Sequence, residues 1–415
     1  MSDEQERQGL MARYRQVRAT TEQLCAPLAP DDFQIQSIPQ TSPPKWHLAH
    51  VSWFFENFVL PLFSNYRPYH PLFGHLFNSY YQSVGEPFPR PDRGLLSRPT
   101  VGEIYGYRRY VDEQMLALLT AVSNDRWPEL QNRVVLGLNH EQQHQELLLM
   151  DIKHNLSISP LFPAYRDDLP QNGIAATEMG WQEQHGGLYE IGAAGGEFAF
   201  DNETPRHRVL VNDHRLADRF VTNGEYLAFI EDGGYRDARL WLADGWALIN
   251  QRGWQQPLYW RQRDGEWREF TLAGIRSLNP AEPVCHLSYY EADAYACWAG
   301  KRLPREEELE LALTQRPLSG NFVESDRLHP APASSDGQWF GDLWAWTASS
   351  YGAYPGFRPL AGSLGEYNGK FMANQMVLKG GSCATPQQHC RASYRNFFYP
   401  DERWAFCGLR LAEDL

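Results

Sequence analysis

His140-Glu141-Gln142-Gln143-His144-Gln145-Glu146 is the stretch from which the rest of the chain is best read. An α-helix turns once in about 3.6 residues, so side chains four apart lie one above the other on a single face. On a helix, His140 and His144 can therefore grip one metal ion. Upstream, Trp46-His47-Leu48-Ala49-His50 offers a third imidazole if it too is helical and faces the first pair. Metal sites in helix bundles are built in this way, from side chains that project inward. The same spacing also describes a solvated polar stripe, which is what most such histidine pairs are.

Helical spacing continues on both sides of these segments. Leu10, Tyr14, Val17 and Leu24 mark a first amphipathic helix, and Ser42-Pro43-Pro44 announces a second carrying Trp46, His50, Trp53, Phe54 and Phe58. Thr100-Val-Gly-Glu103 is a capping box that opens a third, with Ile104, Tyr107, Val111, Met115 and Leu118 in register. The fourth runs from about Trp127 through Val134, Leu138 and Leu148 to about Asn155. The pattern predicts a four-helix bundle over residues 1–155, with His50 and the His140/His144 pair converging inside it.

Between 156 and 182 the periodicity stops, and Pro160, Pro163, Pro170 and Gly173 indicate an ordered linker. Residues 183–415 read as an α+β domain with irregular aromatic loops. Leu188–Ile191 and Arg208–Val211 are strand candidates, while Thr222-Asn-Gly-Glu225 and Ser288-Tyr-Tyr-Glu291 are capping boxes of short helices. Pro304 suits the start of another over Glu306 to Leu313. The fold class is thus multidomain, α followed by α+β.

Composition narrows the function. With 415 residues, 42% hydrophobic and 13% aromatic, the chain can build large cores and aromatic-walled pockets. Its 38 basic against 51 acidic residues leave a net charge of −13, which argues against nucleic acid or an anionic membrane as the main partner. The polar start, Met1-Ser-Asp-Glu-Gln-Glu-Arg, lacks the pattern of a secretory signal, and no apolar run approaches the roughly eighteen residues of a membrane span. A cytoplasmic location is expected. Cys25, Cys285, Cys297, Cys383, Cys390 and Cys407 lack CxxC spacing and are expected as reduced, mostly buried thiols. Oligomeric state is not legible.

The first half resembles the DinB-like four-helix bundle family, whose members place three histidines around one divalent metal. The second half is similar to the formylglycine-generating-enzyme/sulfatase-modifying domain, a C-type-lectin-like fold. The matching phrases are Asp201-Asn-Glu-Thr-Pro-Arg-His207, Val221-Thr-Asn-Gly-Glu-Tyr226, Ala299-Gly-Lys-Arg-Leu-Pro304, Trp344-Ala-Trp-Thr347 and Gly380-Gly-Ser382. Either fold alone leaves function open. Their order in one chain resembles the ergothioneine-biosynthesis sulfoxide synthases, iron enzymes that join a thiol to the imidazole of trimethylhistidine (hercynine). Ser42-Pro-Pro-Lys-Trp-His-Leu-Ala-His50, Phe77-Asn-Ser-Tyr-Tyr81 and Tyr367-Asn-Gly-Lys-Phe371 add to that likeness.

The resemblance implies Fe(II) held by His50, His140 and His144, with His47 in a supporting or structural role and Glu146 orienting a ligand. It further implies dioxygen and two small-molecule substrates, hercynine and a thiol that is cysteine or γ-glutamylcysteine, coupled through a new C–S bond at imidazole C2 with one oxygen on sulfur. Gln143 matches a position that hydrogen-bonds the hercynine ring. Asn396 matches one that meets its carboxylate or ammonium end. Phe397 and Phe398 could face the quaternary ammonium, where the better-known actinobacterial branch has Trp-Asp. Tyr80 or Tyr81 is the candidate proton donor, the alternative for each being a packing role. Among Arg90, Arg93 and Arg98, the first two are the expected partners of the thiol carboxylate.

Three alternatives compete. A formylglycine-generating oxidase would use Cys383 and Cys390, although Cys383 follows Gly380-Gly-Ser382 directly, whereas that family places its first cysteine three residues after the serine. Ovothiol- or selenoneine-type synthases share the fold pair. A non-catalytic binding module would leave the histidines merely structural.

Overall fold

The computed structural model describes residues 3–171, 173 and 177–415. Met1 and Ser2 of the expected first helix, and residues 172 and 174–176 of the expected linker, lie outside the described residues. The chain divides into two compact units. One comprises residues 1–159 together with Leu360–Tyr367, the other 160–359 with 368–415.

Four long helices make the first unit: Asp3–Cys25, Pro44–Phe58, Val101–Ala121 and Trp127–Ser157. The first buries Leu10, Tyr14 and Val17, and at its end Cys25 rather than Leu24 turns fully inward. The second opens at Pro44, whose missing N–H is no loss in a first helical turn. It is buried on almost every side, the mark of a core helix. The third begins with the expected capping box: Thr100 Oγ1 accepts from Glu103 N–H at 3.3 Å, and Glu103 Oε2 accepts from Thr100 N–H at 2.7 Å.

Gly137 on the fourth helix sets how closely that helix crosses the second. A Cβ there would fall 2.5 Å from the Phe55 ring, so only glycine permits the approach, one turn before His140. Buried charge ties the bundle together from the other side. Glu141 accepts from Arg18 at 3.0 Å and Arg108 at 3.2 Å, and Thr21 Oγ1 donates to it at 2.7 Å. Burial alone would raise the Glu141 carboxyl, but the two guanidinium groups outweigh it and hold it below the usual carboxylate range.

The second unit is built from small sheets and short helices. Its central four-stranded sheet has the order Asn396–Phe398, Met376–Lys379, Trp344–Ser350, Cys407–Gly408. Asn396 therefore lies on an edge strand, opposite Leu378. Gly187–Ile191 and His207–Val211 pair as an antiparallel hairpin at the strand positions expected from sequence. Both expected capping boxes start helices, Asn223–Glu231 and Tyr289–Trp298. A helix at Ala243–Arg252 and a three-stranded meander, Trp260–Arg263, Glu266–Thr271 and Gly274–Ser277, carry no comparable sequence signal. Two of the quoted sequence phrases meet where Asn368 Nδ2 donates to Asp201 Oδ1 at 2.7 Å. Among the described residues no helix is long and apolar enough to cross a membrane.

Candidate metal centre

His50 from the second helix and His140 and His144 from the fourth bring one ring nitrogen each within 4.8 Å of one another. The Nε2 atoms of His50 and His140 are 3.2 Å apart. Two imidazole nitrogens bound side by side at about 2.1 Å from one ion would be separated by roughly 3.0 to 3.4 Å, so the spacing fits a shared metal. Aromatic neighbours lock the rings. His50 stacks on Trp46 at 4.5 Å and Trp53 at 5.4 Å, one turn before and after it, while Phe54 stacks on His140 at 4.6 Å.

Tautomer follows from partners. Phe77 O can only accept, so His50 Nδ1, 2.6 Å away, carries the proton and Nε2 keeps its lone pair for the centre. Burial, joined by neighbouring imidazoles, pushes His50 and His144 well below the ordinary histidine range, and burial takes His140 down to about 3. Neutral imidazoles are what a divalent cation requires. Among the described residues, the buried His140 Nδ1 has no hydrogen-bond partner.

His47 is not part of the convergent set. Its Nδ1 lies 2.9 Å from His144 Nδ1, and its Nε2 lies 2.9 Å from Asp151 Oδ2. Asp151 was not singled out from the sequence, although its position seven residues after His144 puts it two turns along the same helix face. Glu146 is buried on that helix.

A second group of buried ligand atoms, from Glu269, Glu282 and His329, is equally close-set. There Arg276 Nη2 already sits 2.9 Å from Glu269 and 2.5 Å from Glu282, so the chain supplies the cation itself. A metal would have to displace a guanidinium. Among the described residues no such cation bridges the three histidines, although the Arg93 guanidinium is near enough to lower the pKa of His50 and His144.

Around the histidines the first unit gathers hydroxyls and one buried arginine. Tyr367 donates to Gln143 Oε1, and its ring lies 5.8 Å from that of His140. Tyr80 Oη is 3.5 Å from both Tyr81 Oη and Tyr367 O. Tyr81 is fully buried against Phe58 and Trp53, and burial raises its hydroxyl well above the ordinary range. Glu366 accepts from the Gln82 and Ser83 amides at 3.1 and 2.9 Å, fixing the tyrosine loop beside Tyr367. Tyr367 belongs to a phrase quoted for the family likeness, but its sequence distance from the helices hid its place here.

Arg93 is buried with its guanidinium 3.5 Å above Trp46, and Nη1 donates to Ser42 Oγ at 3.0 Å. Among the described residues no carboxylate comes within ion-pair distance of it, and burial, with Arg90 nearby, lowers its pKa well below the usual value. Arg90 is exposed and donates to Gln40 O, and Arg98 is exposed and donates to Ser97 O.

Asn396, Phe397 and Phe398 lie in the second unit. Asn396 Oδ1 accepts from the Phe397 amide at 2.9 Å, Phe397 stacks on Tyr351 at 4.1 Å, and Phe398 meets Trp404 edge to face. Among the described residues no cysteine forms a disulfide, and Cys297 is the one of the six that is exposed. Cys390 packs with Leu313, Phe322 and Phe340 in an apolar cluster.

Comparison with known proteins agrees with this geometry. Residues 13–148 match the DinB superfamily, and residues 182–340 and 337–415 match the sulfatase-modifying factor enzyme 1-like domain. The chain is 33% identical to a hercynine oxygenase of Mycolicibacterium thermoresistibile, over 93% of this chain and 91% of the relative. It is 32% identical to that of Mycolicibacterium smegmatis, over 93% and 94%. The chain belongs to the hercynine oxygenase family. A formylglycine-generating enzyme of Streptomyces coelicolor is 29% identical over only 55% of this chain. The hercynine oxygenase relationship thus spans both units, including the histidine bundle that the formylglycine reading leaves without a role.

Proposed function

We propose that this chain is a non-haem Fe(II)- and dioxygen-dependent sulfoxide synthase that joins a carboxylate-bearing thiol, cysteine or γ-glutamylcysteine, to C2 of the hercynine imidazole. The observation that carries this reading is the convergence of His50, His140 and His144, one ring nitrogen from each within 4.8 Å of the others, with Gln143 and Tyr367 alongside. Fe(II) held by these three would supply the redox chemistry for dioxygen, and neutral imidazole ligation leaves positions open on the ion.

The remaining work falls to the chain. Gln143 is proposed to hold the hercynine ring by its amide, with Tyr367 fixing which end of the amide is presented. Arg93, a buried cation without a carboxylate of its own, is proposed to take the thiol carboxylate, with Arg90 nearer solvent. Tyr367 Oη is proposed to move the proton that separates sulfoxide formation from simple thiol oxidation, backed by Tyr80 and Tyr81. Asn396, Phe397 and Phe398 are kept as proposed contacts for the carboxylate and ammonium ends of hercynine. Trp46, Trp53 and Phe54 exclude water from the ligand rings.

The test is oxygen uptake and product mass. Protein loaded anaerobically with Fe(II) and given hercynine with either thiol should yield a product equal to the sum of both substrates plus one oxygen less two hydrogens. A sulfinate of the thiol alone, with hercynine unconsumed, would overturn the assignment. So would retention of iron by His50→Ala, His140→Ala and His144→Ala.

A further inference from the structure

We propose that His47 and Asp151 form a carboxylate–imidazole chain that fixes the tautomer of His144 and so sets the metal affinity of the three-histidine centre. Ser42 ties the same carboxylate to Arg93. The inference rests on the metal reading above, and its subject is two positioning residues, not ligands.

With His47 as a neutral imidazole, the chain has one self-consistent polarity. Asp151 Oδ2 accepts from the Ser42 amide at 2.7 Å and faces His47 Nε2 at 2.9 Å. An ionised carboxylate accepts only, so His47 Nε2 carries the proton. A neutral imidazole has one proton, which leaves His47 Nδ1 as an acceptor. His144 Nδ1, 2.9 Å away, must therefore donate, and the His144 lone pair is confined to Nε2. His47 and Asp151 are both nearly inaccessible to solvent, at 3% and 2% exposure, so water does not compete for these bonds.

The three ligands consequently differ in backing. His144 is backed by an anion through an imidazole, His50 by the neutral Phe77 carbonyl, and His140 Nδ1 by no hydrogen-bond partner. A carboxylate behind a ligating histidine raises its basicity and fixes its ring. His144 is thereby the strongest donor of the set. Ser42 extends the connection, because its amide reaches Asp151 while its hydroxyl accepts from Arg93. The carboxylate that backs the metal ligand is thus one serine away from the proposed anion-holding guanidinium.

Co(II) titration of the metal-free full-length protein, followed by visible absorption, reads metal affinity without substrate. His47→Leu should weaken Co(II) binding about 10- to 100-fold, the usual loss when an outer partner of a ligand is removed. Asp151→Asn should weaken it about 10-fold. His47→Gln, which can accept from His144 and donate to Asp151, should retain at least about threefold more affinity than His47→Leu. Native circular dichroism is checked for each variant, and Asp151→Asn carries the test if His47→Leu does not fold. Wild-type affinity in folded His47→Leu or in Asp151→Asn would overturn the inference, as would equal losses in the Gln and Leu variants. Variants that follow this order, together with wild-type protein that makes no sulfoxide, remove the proposed reaction alone. Wild-type protein that binds no Co(II) removes both.

Discussion

The Tyr367 hydroxyl donates to the side-chain oxygen of Gln143, the residue immediately before His144 of the candidate metal centre. An amide whose oxygen is engaged presents its nitrogen in a fixed direction, so this bond would decide which end of Gln143 the proposed hercynine ring nitrogen meets. Tyr367→Phe should raise the KM for hercynine about fivefold, equivalent to one net hydrogen bond of about 1 kcal/mol, and shift product from sulfoxide toward thiol oxidation. Tyr81→Phe, altering a hydroxyl packed behind it, should change the ratio less. Steady-state kinetics with product mass spectrometry checks both.

Arg93 and Arg90 should separate cleanly. Replacing the buried, carboxylate-free Arg93 by Met is expected to raise the KM for the thiol at least about a hundredfold while leaving thermal stability equal or higher, because an uncompensated buried charge is removed. Arg90→Ala, at an exposed site, should change that KM less than about threefold. A falling melting temperature in Arg93→Met would show instead that the guanidinium is a structural part of the bundle.

Glu141 neutralises two buried arginines. Glu141→Ala should cost about 3 to 5 kcal/mol in denaturant unfolding, since Arg18 and Arg108 would both lose a buried partner. The exposed pair of Arg166 with Asp168 gives the contrast: Asp168→Ala should leave the denaturant midpoint nearly unchanged.

Asp342 predicts a pH dependence in the second unit. Burial pushes its carboxyl up to about 6, against hydrogen bonds from the Ala331 amide, Asn321 and Gln338. Unfolded, it titrates near 3.9, so between roughly pH 4 and 6 the native state binds the extra proton. Its contribution to stability is therefore fully present below about pH 4 and is lost as pH rises through about 6. Replacing it with asparagine should flatten the stability profile across that window, measured by urea unfolding at intervals from pH 4 to 8. An unchanged slope would show that Asp342 titrates normally.

The helical half was legible because its signals are local. The Thr100 capping box, Pro44 and the apolar spacing of Leu10, Tyr14 and Val17 each declare a helix within a few residues. His140 and His144 reveal their shared face by spacing alone, and His50 needed only the prediction of a facing helix. Asp151 escaped notice because a carboxylate on a polar helix has no pattern until its partner, His47, is seen to turn toward it. Tyr367 escaped for a different reason: its contact with Gln143 spans 224 residues, and no periodicity encodes such a pairing. In the second half, strands such as Trp260–Arg263 alternate too weakly to stand out, and Ala243–Arg252 begins without a side-chain cap.

Leu360–Tyr367 groups with the helical unit although the residues on either side of it belong to the other. Recombination at the evident boundary near residue 159 would hand down the three histidines without the tyrosine that addresses Gln143. The two halves are therefore poor cassettes. A hybrid joining this bundle to a relative's second half would inherit that relative's version of the segment, and with it a foreign hydroxyl beside native histidines.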